Sequence, residues 1–170
     1  MKLYFDKDRK GREICVIEDA RIFWTNFSGK PDRYNSAGHR HFCLAIPEDA
    51  AEDMKASGWN VKYTKPKNDN YSPEPYIDVN ISWAYKKPSV AFITSRGETI
   101  IEEDEIDILD TAEIEKINMA LDLSYRTKDD GSTGIKGYVR TMDVTLYEDP
   151  VRRRRAERTV EEESDEVPFR

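Results

Sequence analysis

Residues 20–27 read Ala-Arg-Ile-Phe-Trp-Thr-Asn-Phe, a stretch in which polar and apolar side chains alternate and aromatic rings are frequent. Alternation with aromatic enrichment predicts a β-strand. In a regular strand Ile22 and Trp24 would share one face, and Phe23 and Phe27 the other. Rings therefore occur on both faces, so we expect that only one set belongs to the core and that the other is available for a ligand.

Strand patterns recur on both sides of this stretch. Further strands are predicted at residues 13–18, 40–46, 59–64, 76–83, 90–94, 98–101, 106–109, 119–125 and 138–147. One helix is predicted from Pro47 to Gly58, because proline and acidic residues suit a first helical turn and glycine suits a C-terminal cap. The Asp-Gly content of 128–134 predicts a hairpin loop. Evenly spaced strands with one interposed helix predict a mainly β fold, a small and partly open barrel.

The 170 residues are enough for one domain with its own core, which we expect in residues 1–149. After Pro150 the chain changes character. A basic run, Arg152–Arg155, is followed by an acidic run, Glu161–Glu163, and few residues there could be buried. Residues 150–170 are therefore predicted to be a flexible tail. The arginine run is also a candidate for a second phosphate contact.

The net charge of -7 is distributed unevenly. Residues 1–101 hold 16 Lys and Arg against 14 Asp and Glu, residues 102–147 hold 5 against 12, and residues 148–170 hold 6 against 8. A mildly basic first part is thus masked by an acidic second half. The balance argues against tight binding to long duplex DNA, where phosphate neutralisation dominates affinity, but it allows a local positive groove.

The sequence also indicates the compartment. No apolar run approaches the roughly 20 residues that cross a bilayer, and the first residues lack the apolar region of a secretion signal. We therefore expect a cytoplasmic protein with no membrane partner. Cys15 and Cys43 are isolated and fit small buried thiols in a reducing compartment, while a disulfide between them is an open alternative.

Little in the sequence could catalyse a reaction. His39 and His41 are the only histidines, and no Cys or Glu cluster completes a metal site around them. There is no glycine-rich phosphate loop and no recognised nucleophile setting. The acidic residues of 102–110 could bind a metal in a nuclease, although a solvated turn is the favoured interpretation. We expect no catalytic residue, no cofactor and no metal.

The composition is better suited to single-stranded nucleic acid. Such binding needs aromatic faces for bases and cations for the backbone, interleaved on one surface. Aromatic residues make up 11% of the chain, and many lie beside Lys or Arg. The candidate DNA-binding residues are Arg21, Phe23, Trp24, Phe27, Lys30, Arg40, Lys62, Tyr76, Lys86, Lys87, Lys136, Tyr138 and Arg140. Trp59 and Trp83 are expected in the core, because their strand faces are otherwise apolar.

The acidic run is followed by Ser164-Asp165-Glu166-Val167-Pro168-Phe169-Arg170. Mobile negative charge could steer this segment to a basic surface, where Phe169 would fill a pocket. The segment resembles the C-terminal tip of bacterial single-stranded DNA-binding proteins, in which acidic residues precede Ile-Pro-Phe. Here Val167 replaces the Ile, and Arg170 follows the Phe. The resemblance implies recruitment of replication and recombination proteins through Asp165, Glu166, Val167, Pro168 and Phe169.

A second resemblance concerns the body of the chain. It is carried by Asn26-Phe27-Ser28-Gly29-Lys30, by Asn35, Gly38, Arg40 and Phe42, by Gly58-Trp59-Asn60-Val61-Lys62, and by Gly137-Tyr138-Val139-Arg140 with Met142. These scattered positions resemble phage and prophage single-stranded DNA-binding proteins of the OB-fold type. The resemblance implies a five-stranded Greek-key OB-fold barrel, a non-enzymatic role in replication or recombination, and a flexible acidic C-terminus. A phage protein of this kind would bind and protect single-stranded DNA in the host cytoplasm without reading its sequence.

Two other interpretations stay open. In one, the barrel is a docking or regulatory module that binds protein through the acidic 102–110 turn and does not bind DNA. In the other, the same turn serves a metal-dependent nuclease. The sequence leaves the oligomeric state open between a monomer and a homodimer, and it does not decide between DNA and RNA, because discrimination at the 2′-OH depends on geometry.

Overall fold

The structure is a computed structural model that describes residues 1–165, without the side chains of residues 160 and 163–165. The described chain is mainly β, and its strands form a single mixed sheet with few helices, which confirms the predicted fold class. The strands are β1 (Lys2–Lys7), β2 (Glu13–Glu18), β3 (Ile22–Asn26), β4 (Arg40–Ala45), β5 (Lys62–Tyr63), β6 (Pro75–Ile81), β7 (Ser89–Thr94), β8 (Gly97–Ile101), β9 (Ile114–Thr127) and β10 (Thr133–Leu146). The helices are α1 (Glu48–Ser57), α2 (Pro150–Asp165) and a 3₁₀ helix (Glu103–Asp110).

The sheet closes on itself through one bent segment. Its strand order is β1-β2-β9-β10-β6-β4-β3, with β10 parallel to β6 and the other pairs of this path antiparallel. Between β2 and β3, the Ala20 N–H donates to the Ile117 carbonyl of β9 at 2.8 Å, and the Arg21 carbonyl accepts from the Ala45 N–H of β4 at 3.0 Å. Residues 13–26 therefore join the two ends of the path, and β2/β3, β4, β6, β10 and β9 form a closed barrel.

The barrel interior is apolar. Phe42, Leu44, Val79 and Leu121 are fully buried there, as expected for the inward positions of alternating strands. Trp59 is also buried and packs on Gly137, where an added Cβ would lie 3.1 Å from the indole ring. Both cysteines are buried free thiols, so the open alternative of a disulfide between them is not realised.

Helix α1 follows the predicted signals. Pro47 precedes it, Glu48 and Asp49 occupy its first turn, and Gly58 ends it with φ of +116°. A Cβ at Gly58 would lie 2.3 Å from the Thr133 carbonyl oxygen, so the position requires glycine for space as well as for its left-handed backbone.

Some elements differ from the sequence predictions. Residues 106–109 belong to the 3₁₀ helix and not to a strand, and of residues 59–64 only Lys62–Tyr63 pair as a strand. Strand β1 was not predicted. Residues 150–165 form α2, since Arg, Glu and Ala favour helix and the Asp149 carboxylate accepts the Val151 N–H at 2.8 Å at its start. The flexibility of the tail stays a prediction.

No helix within the described residues is long and apolar enough to cross a membrane. Of the predicted partner-binding residues, Glu166, Val167, Pro168 and Phe169 lie outside the described residues, and only the backbone of Asp165 lies within them. Recruitment through these residues stays a prediction.

Candidate nucleic-acid interface

A bulge in β3 decides which aromatic rings face outward. Phe23 lies opposite Cys43 of β4, whereas Asn26 lies opposite His41. Three residue steps in β3 therefore match two in β4, and the alternation of the strand is broken between Phe23 and Asn26. Trp24 lies in this irregularity with φ of +47°, a conformation that is uncommon for any residue except glycine.

The bulge corrects the predicted faces of this strand. Trp24 does not share the inward side of Ile22 but has 63% of its surface exposed. Phe27 is fully buried and packs on Phe42, with ring centroids 5.4 Å apart. Its prediction as a DNA-binding residue is therefore wrong for this conformation, because a ring without exposed surface offers no face to a base.

Phe23, Trp24 and Tyr76 form one outward aromatic cluster. The ring centroids lie 4.8 Å apart for Phe23 and Trp24, 5.4 Å for Phe23 and Tyr76, and 5.5 Å for Trp24 and Tyr76, all with edge-on geometry. Such edge contacts are favourable, and Trp24 keeps most of its surface exposed within them. Tyr76 is thus brought beside two consecutive rings that are distant from it in sequence, and the cluster is a candidate stacking platform.

Two predicted cations border the aromatic cluster. The Arg21 guanidinium lies 5.6 Å from the Phe23 ring centroid and forms an ion pair with Glu74. The Lys62 ammonium lies 2.8 Å from the Asp78 carboxylate, and this hydrogen bond raises the pKa of Lys62. Burial alone would raise the pKa of Asp78, but the hydrogen bonds from Lys62 and from the Cys43 thiol lower it, so both ends of the pair are charged at neutral pH.

Histidine and asparagine side chains continue the outward face across β4 and β6. The rings of His39 and His41 stack with centroids 4.9 Å apart. His39 Nδ1 lies 2.8 Å from Asn35 Oδ1, and His39 Nε2 lies 2.6 Å from Asn80 Oδ1. Burial, and then the neighbouring His39, lower the pKa of His41, so this ring is neutral at pH 7. Within the described residues no group of three or more His, Cys, Asp or Glu side chains could hold a metal ion.

Beyond the His39, His41 and Asn80 side chains, the outward face continues onto β10. Tyr138 lies beside Asn80 in the parallel pairing of β10 with β6. Two grooves adjoin at Tyr138, one of about 420 Å³ that includes Lys136 and one of about 330 Å³ that includes Lys86. From Tyr76 to Asn80 the strand rises by about 13 Å. The aromatic cluster and the Tyr138 grooves therefore belong to one continuous surface.

Most of the predicted cations are already paired. Arg21 pairs with Glu74, Arg40 with Glu103 at 3.0 Å, Lys62 with Asp78 at 2.8 Å, Lys86 with Asp122 at 3.5 Å, Lys87 with Glu102 at 2.9 Å, and Arg140 with Asp122 at 2.9 Å and Asp8 at 3.1 Å. Lys30 and Lys136 form no ion pair with any side chain that the structure describes. A nucleic-acid phosphate at most of these positions would have to compete with a carboxylate.

The acidic 102–110 segment has a structural role at this surface. Asp110 accepts hydrogen bonds from the Thr25 hydroxyl and from the backbone N–H groups of Phe27 and Ser28, each at 2.9 Å. These bonds anchor the end of β3 and the loop that follows it. Together with the ion pairs of Glu102 and Glu103, they engage much of the charge of this segment within the fold.

Sequence reasoning left several residues of this face out of the candidate set. They are His39, His41, Asn80, Ser82 and Tyr85, of which Tyr85 is completely exposed at the edge of a Tyr138 groove. The His-Arg-His alternation was a signal for the first two. Trp83 is half-buried, with the Arg40 guanidinium 5.9 Å from its ring centroid, and its indole N–H is the one buried side-chain donor without a partner in the described part of the chain.

Comparison with known proteins agrees with this architecture. A family model described as "Putative phage ssDNA-binding domain" matches residues 6–167. A search of curated proteins found no match. The chain is similar to the single-stranded DNA-binding protein from bacteriophage Enc34 in complex with ssDNA, with a TM-score of 0.51 and 12% identity over 88% of this chain and 98% of that one. Another structure of the Enc34 protein gives a TM-score of 0.48 and 13% identity over 88% and 93% of the two chains. At these identities the match with the complex shows a likeness of fold.

Proposed function

The chain belongs to the phage ssDNA-binding domain family, and from this membership we propose that it binds single-stranded DNA, without sequence preference, along its outward face. The observation that carries the proposal is the aromatic cluster. Its most exposed ring, Trp24, is held by edge contacts with Phe23 and Tyr76, on the same sheet face as Tyr138. Base stacking on such rings is worth ~1–3 kcal/mol per base and accepts every base, because every base has a π-face.

The backbone of the strand would be bound by the cations between and around the rings. Lys30 and Lys136 offer charge directly, while Arg21, Lys62, Arg40, Lys86, Lys87 and Arg140 would exchange a carboxylate for a phosphate. This exchange lowers the net gain per contact, since each released carboxylate has to be solvated again. Moderate affinity with a clear dependence on salt is the expected result.

The closed path of β2/β3, β4, β6, β10 and β9 supports assignment of the barrel to the OB type, in which a five-stranded sheet presents one face to oligonucleotides. In that assignment residues 1–149 are the DNA-binding domain and residues 150–170 the tail, whose first turns are held on the body by the buried Ala156 and whose flexible part lies beyond it. We propose a non-enzymatic role in which the protein covers and protects single strands during phage replication or recombination in the host cytoplasm. The tail would recruit replication proteins through the Asp165–Phe169 segment.

A titration with oligo-dT, followed by tryptophan fluorescence, tests the proposal. We expect strong quenching, because Trp24 is exposed on the proposed surface, whereas Trp59 has only 4% of its surface exposed. Trp24→Phe should lose the part of the quenching that comes from Trp24 and keep the part that comes from the half-buried Trp83, which lines a Tyr138 groove, while still binding labelled oligo-dT by anisotropy. A parallel gel-shift series should show a length threshold with no preference among base sequences. Absence of both quenching and shift at every length would overturn DNA binding and favour a protein-docking module.

Deleting residues 157–170 is expected to tighten DNA binding, most visibly at low salt. The deleted segment carries six acids, Glu157, Glu161–Glu163, Asp165 and Glu166, against Arg158 and Arg170, and in this proposal its net negative charge competes with phosphate for the same cations. The buried Ala156, which anchors α2 to the body, is retained. The measurement is oligo-dT affinity from low to high salt. A full-length variant, Glu161–Glu163→Gln, removes acidic charge without shortening the chain and should also bind more tightly at low salt. Equal affinities of the deletion and the intact chain at all salt concentrations would contradict the competition.

A further inference from the structure

A cationic pocket lies between the turn that follows β7 and the first turns of α2. It encloses about 410 Å³, and its lining residues include Arg96, Arg152 and Arg155 together with Thr94 and Tyr147. We call it the arginine pocket. Three arginines from two separate elements converge there, although the chain as a whole is acidic.

The charge of the arginine pocket is only partly balanced within the described part of the chain, because three arginines line it against two acids, Glu148 and Asp149. Arg96, Arg152 and Arg155 form no ion pair with any described carboxylate, in contrast to Arg153 of the same run, which lies 3.7 Å from Glu115. The two acids keep their charge, but their hydrogen bonds are made to neutral donors, and those from Ser95, followed by the nearby charges of Arg153 and Arg96, lower the pKa of Glu148. Glu148 accepts from the Ser95 N–H and hydroxyl, both at 2.6 Å, and Asp149 caps α2.

The chemistry of the arginine pocket suits a phosphate. A guanidinium presents a planar fork of donors that matches phosphate oxygens, and Thr94 adds a hydroxyl. Tyr147, with 54% of its surface exposed, places an aromatic ring beside these cations. A ring interleaved with arginines is the combination that binds a nucleic-acid single strand, whereas a lone inorganic anion would need no ring.

The position of Tyr147 links the pocket to the surface described above. In β10 Val139 is buried before the register shift, and Met142 and Val144 are buried after it. A second register shift lies between Thr145 and Leu146, but its extra residue belongs to β9, so the alternation of β10 continues to its end. Tyr147, directly after β10, therefore projects to the same side of the sheet as Tyr138. They are separated by about 30 Å along the strand. A DNA strand that leaves the Tyr138 grooves along β10 would reach the arginine pocket.

We propose that the arginine pocket is a second contact for the phosphate backbone of the same single strand, engaged only by strands long enough to extend beyond the Tyr138 grooves. This inference rests on the proposed function. It adds a distal site formed by α2 and by the turn after β7, a strand that pairs with the second half of β10. The strands β3 and β6, which carry the aromatic cluster, do not line it.

The test compares the wild type with a triple variant, Arg96→Gln, Arg152→Gln and Arg155→Gln, on oligo-dT of about 8 and about 40 nucleotides. We expect the short oligomer to bind both proteins equally. Affinity for the long oligomer should fall roughly tenfold in the triple variant, and the salt slope should fall by about 2, at ~0.7 per lost phosphate contact. The matched control, Lys7→Gln, Arg9→Gln and Lys10→Gln, removes the same charge from exposed side chains outside the pocket and should leave the affinity for both oligomers unchanged. Thermal unfolding checks that all variants are folded.

The outcomes separate this inference from the proposed function. Failure of the wild type to bind either oligomer would overturn the proposed function and the inference with it. If the wild type bound both oligomers, and the triple substitution lowered the affinity for both by the same factor or for neither, the inference alone would be overturned. If the triple variant lost concentration-dependent self-association in the absence of DNA but bound both oligomers normally, the pocket would take the acidic segment of a second copy, which also overturns the DNA contact.

Discussion

Trp24→Ala is expected to weaken oligo-dT binding by about 5- to 140-fold, the equivalent of the ~1–3 kcal/mol that one stacked base contributes. Trp24 is the most exposed ring of the aromatic cluster, and its edge contacts with Phe23 and Tyr76 fix its orientation before DNA arrives. A ring that is already ordered loses little side-chain entropy on binding, so most of the stacking energy is available.

Trp24→Ala should lower the affinity for DNA without lowering the stability of the fold. Trp24 is 63% exposed, so its removal takes little apolar surface out of the core, and alanine meets the same left-handed backbone that tryptophan tolerates. Fluorescence anisotropy with labelled oligo-dT measures the affinity, and thermal unfolding checks the fold.

Two control variants sharpen the test of Trp24. Trp24→Phe keeps a ring at the same position and should recover most of the affinity. Tyr34→Ala removes a ring that is 89% exposed but lies outside the aromatic cluster, and it should leave binding within about twofold. A Trp24→Ala protein that binds as tightly as the wild type, or a Tyr34→Ala protein that loses as much, would contradict the placement of the stacking platform.

Phe27→Ala is expected to lower the free energy of unfolding by about 3–5 kcal/mol, the range for removing a large ring from a core. Phe27 is fully buried, packs on Phe42, and lies at the point where Asp110 anchors the backbone. A cavity there would affect the barrel interior and the end of β3 together. Chemical denaturation followed by circular dichroism measures the change.

Phe27→Leu distinguishes a core role from a role in stacking. Leucine is smaller than phenylalanine but apolar, so the variant should fold with a smaller loss of stability than the alanine variant. Because the ring of Phe27 has no exposed surface, DNA affinity of the folded Leu variant should stay within about twofold of the wild type. A large loss of affinity without loss of fold would mean that Phe27 contacts DNA in a conformation that differs from this structure.

Local signals predicted the parts of the fold that depend on few residues. Helix α1 was predicted from Pro47, its acidic first turn and Gly58, and the structure confirms it because these residues act within one turn of the backbone. The strands around residues 40–46 and 76–83 were predicted from strict alternation. The strand predicted at residues 106–109 was wrong. The apolar side chains of this segment, among them the buried Ile106 and Leu109, also fit the inward side of a 3₁₀ helix.

The candidate site was predicted in part. Phe23 and Trp24 were chosen because rings occur on both faces of a regular strand there, and Tyr76 because it lies out of phase with the apolar side chains of its strand. The structure brings the three rings together. Phe27 was assigned wrongly because a regular strand was assumed, whereas the bulge after Phe23 shifts its side chain to the interior. The ion pairs of Arg40 with Glu103 and of Arg140 with Asp122 join residues that are remote in sequence, so charge counting along the chain could not find them.

The sequence by itself determined the mainly β class, the early helix, the changed character of the chain after Pro150 and the supply of rings and cations for a single strand. Each of these follows from residue type and short-range periodicity. Tertiary structure alone decided which rings face outward, which cations are free, and how residues 13–26 close the barrel. These features depend on a bulge, on register between distant strands and on pairing of remote charges, and all three are set by the free energy of the whole packed sheet and not by any one segment.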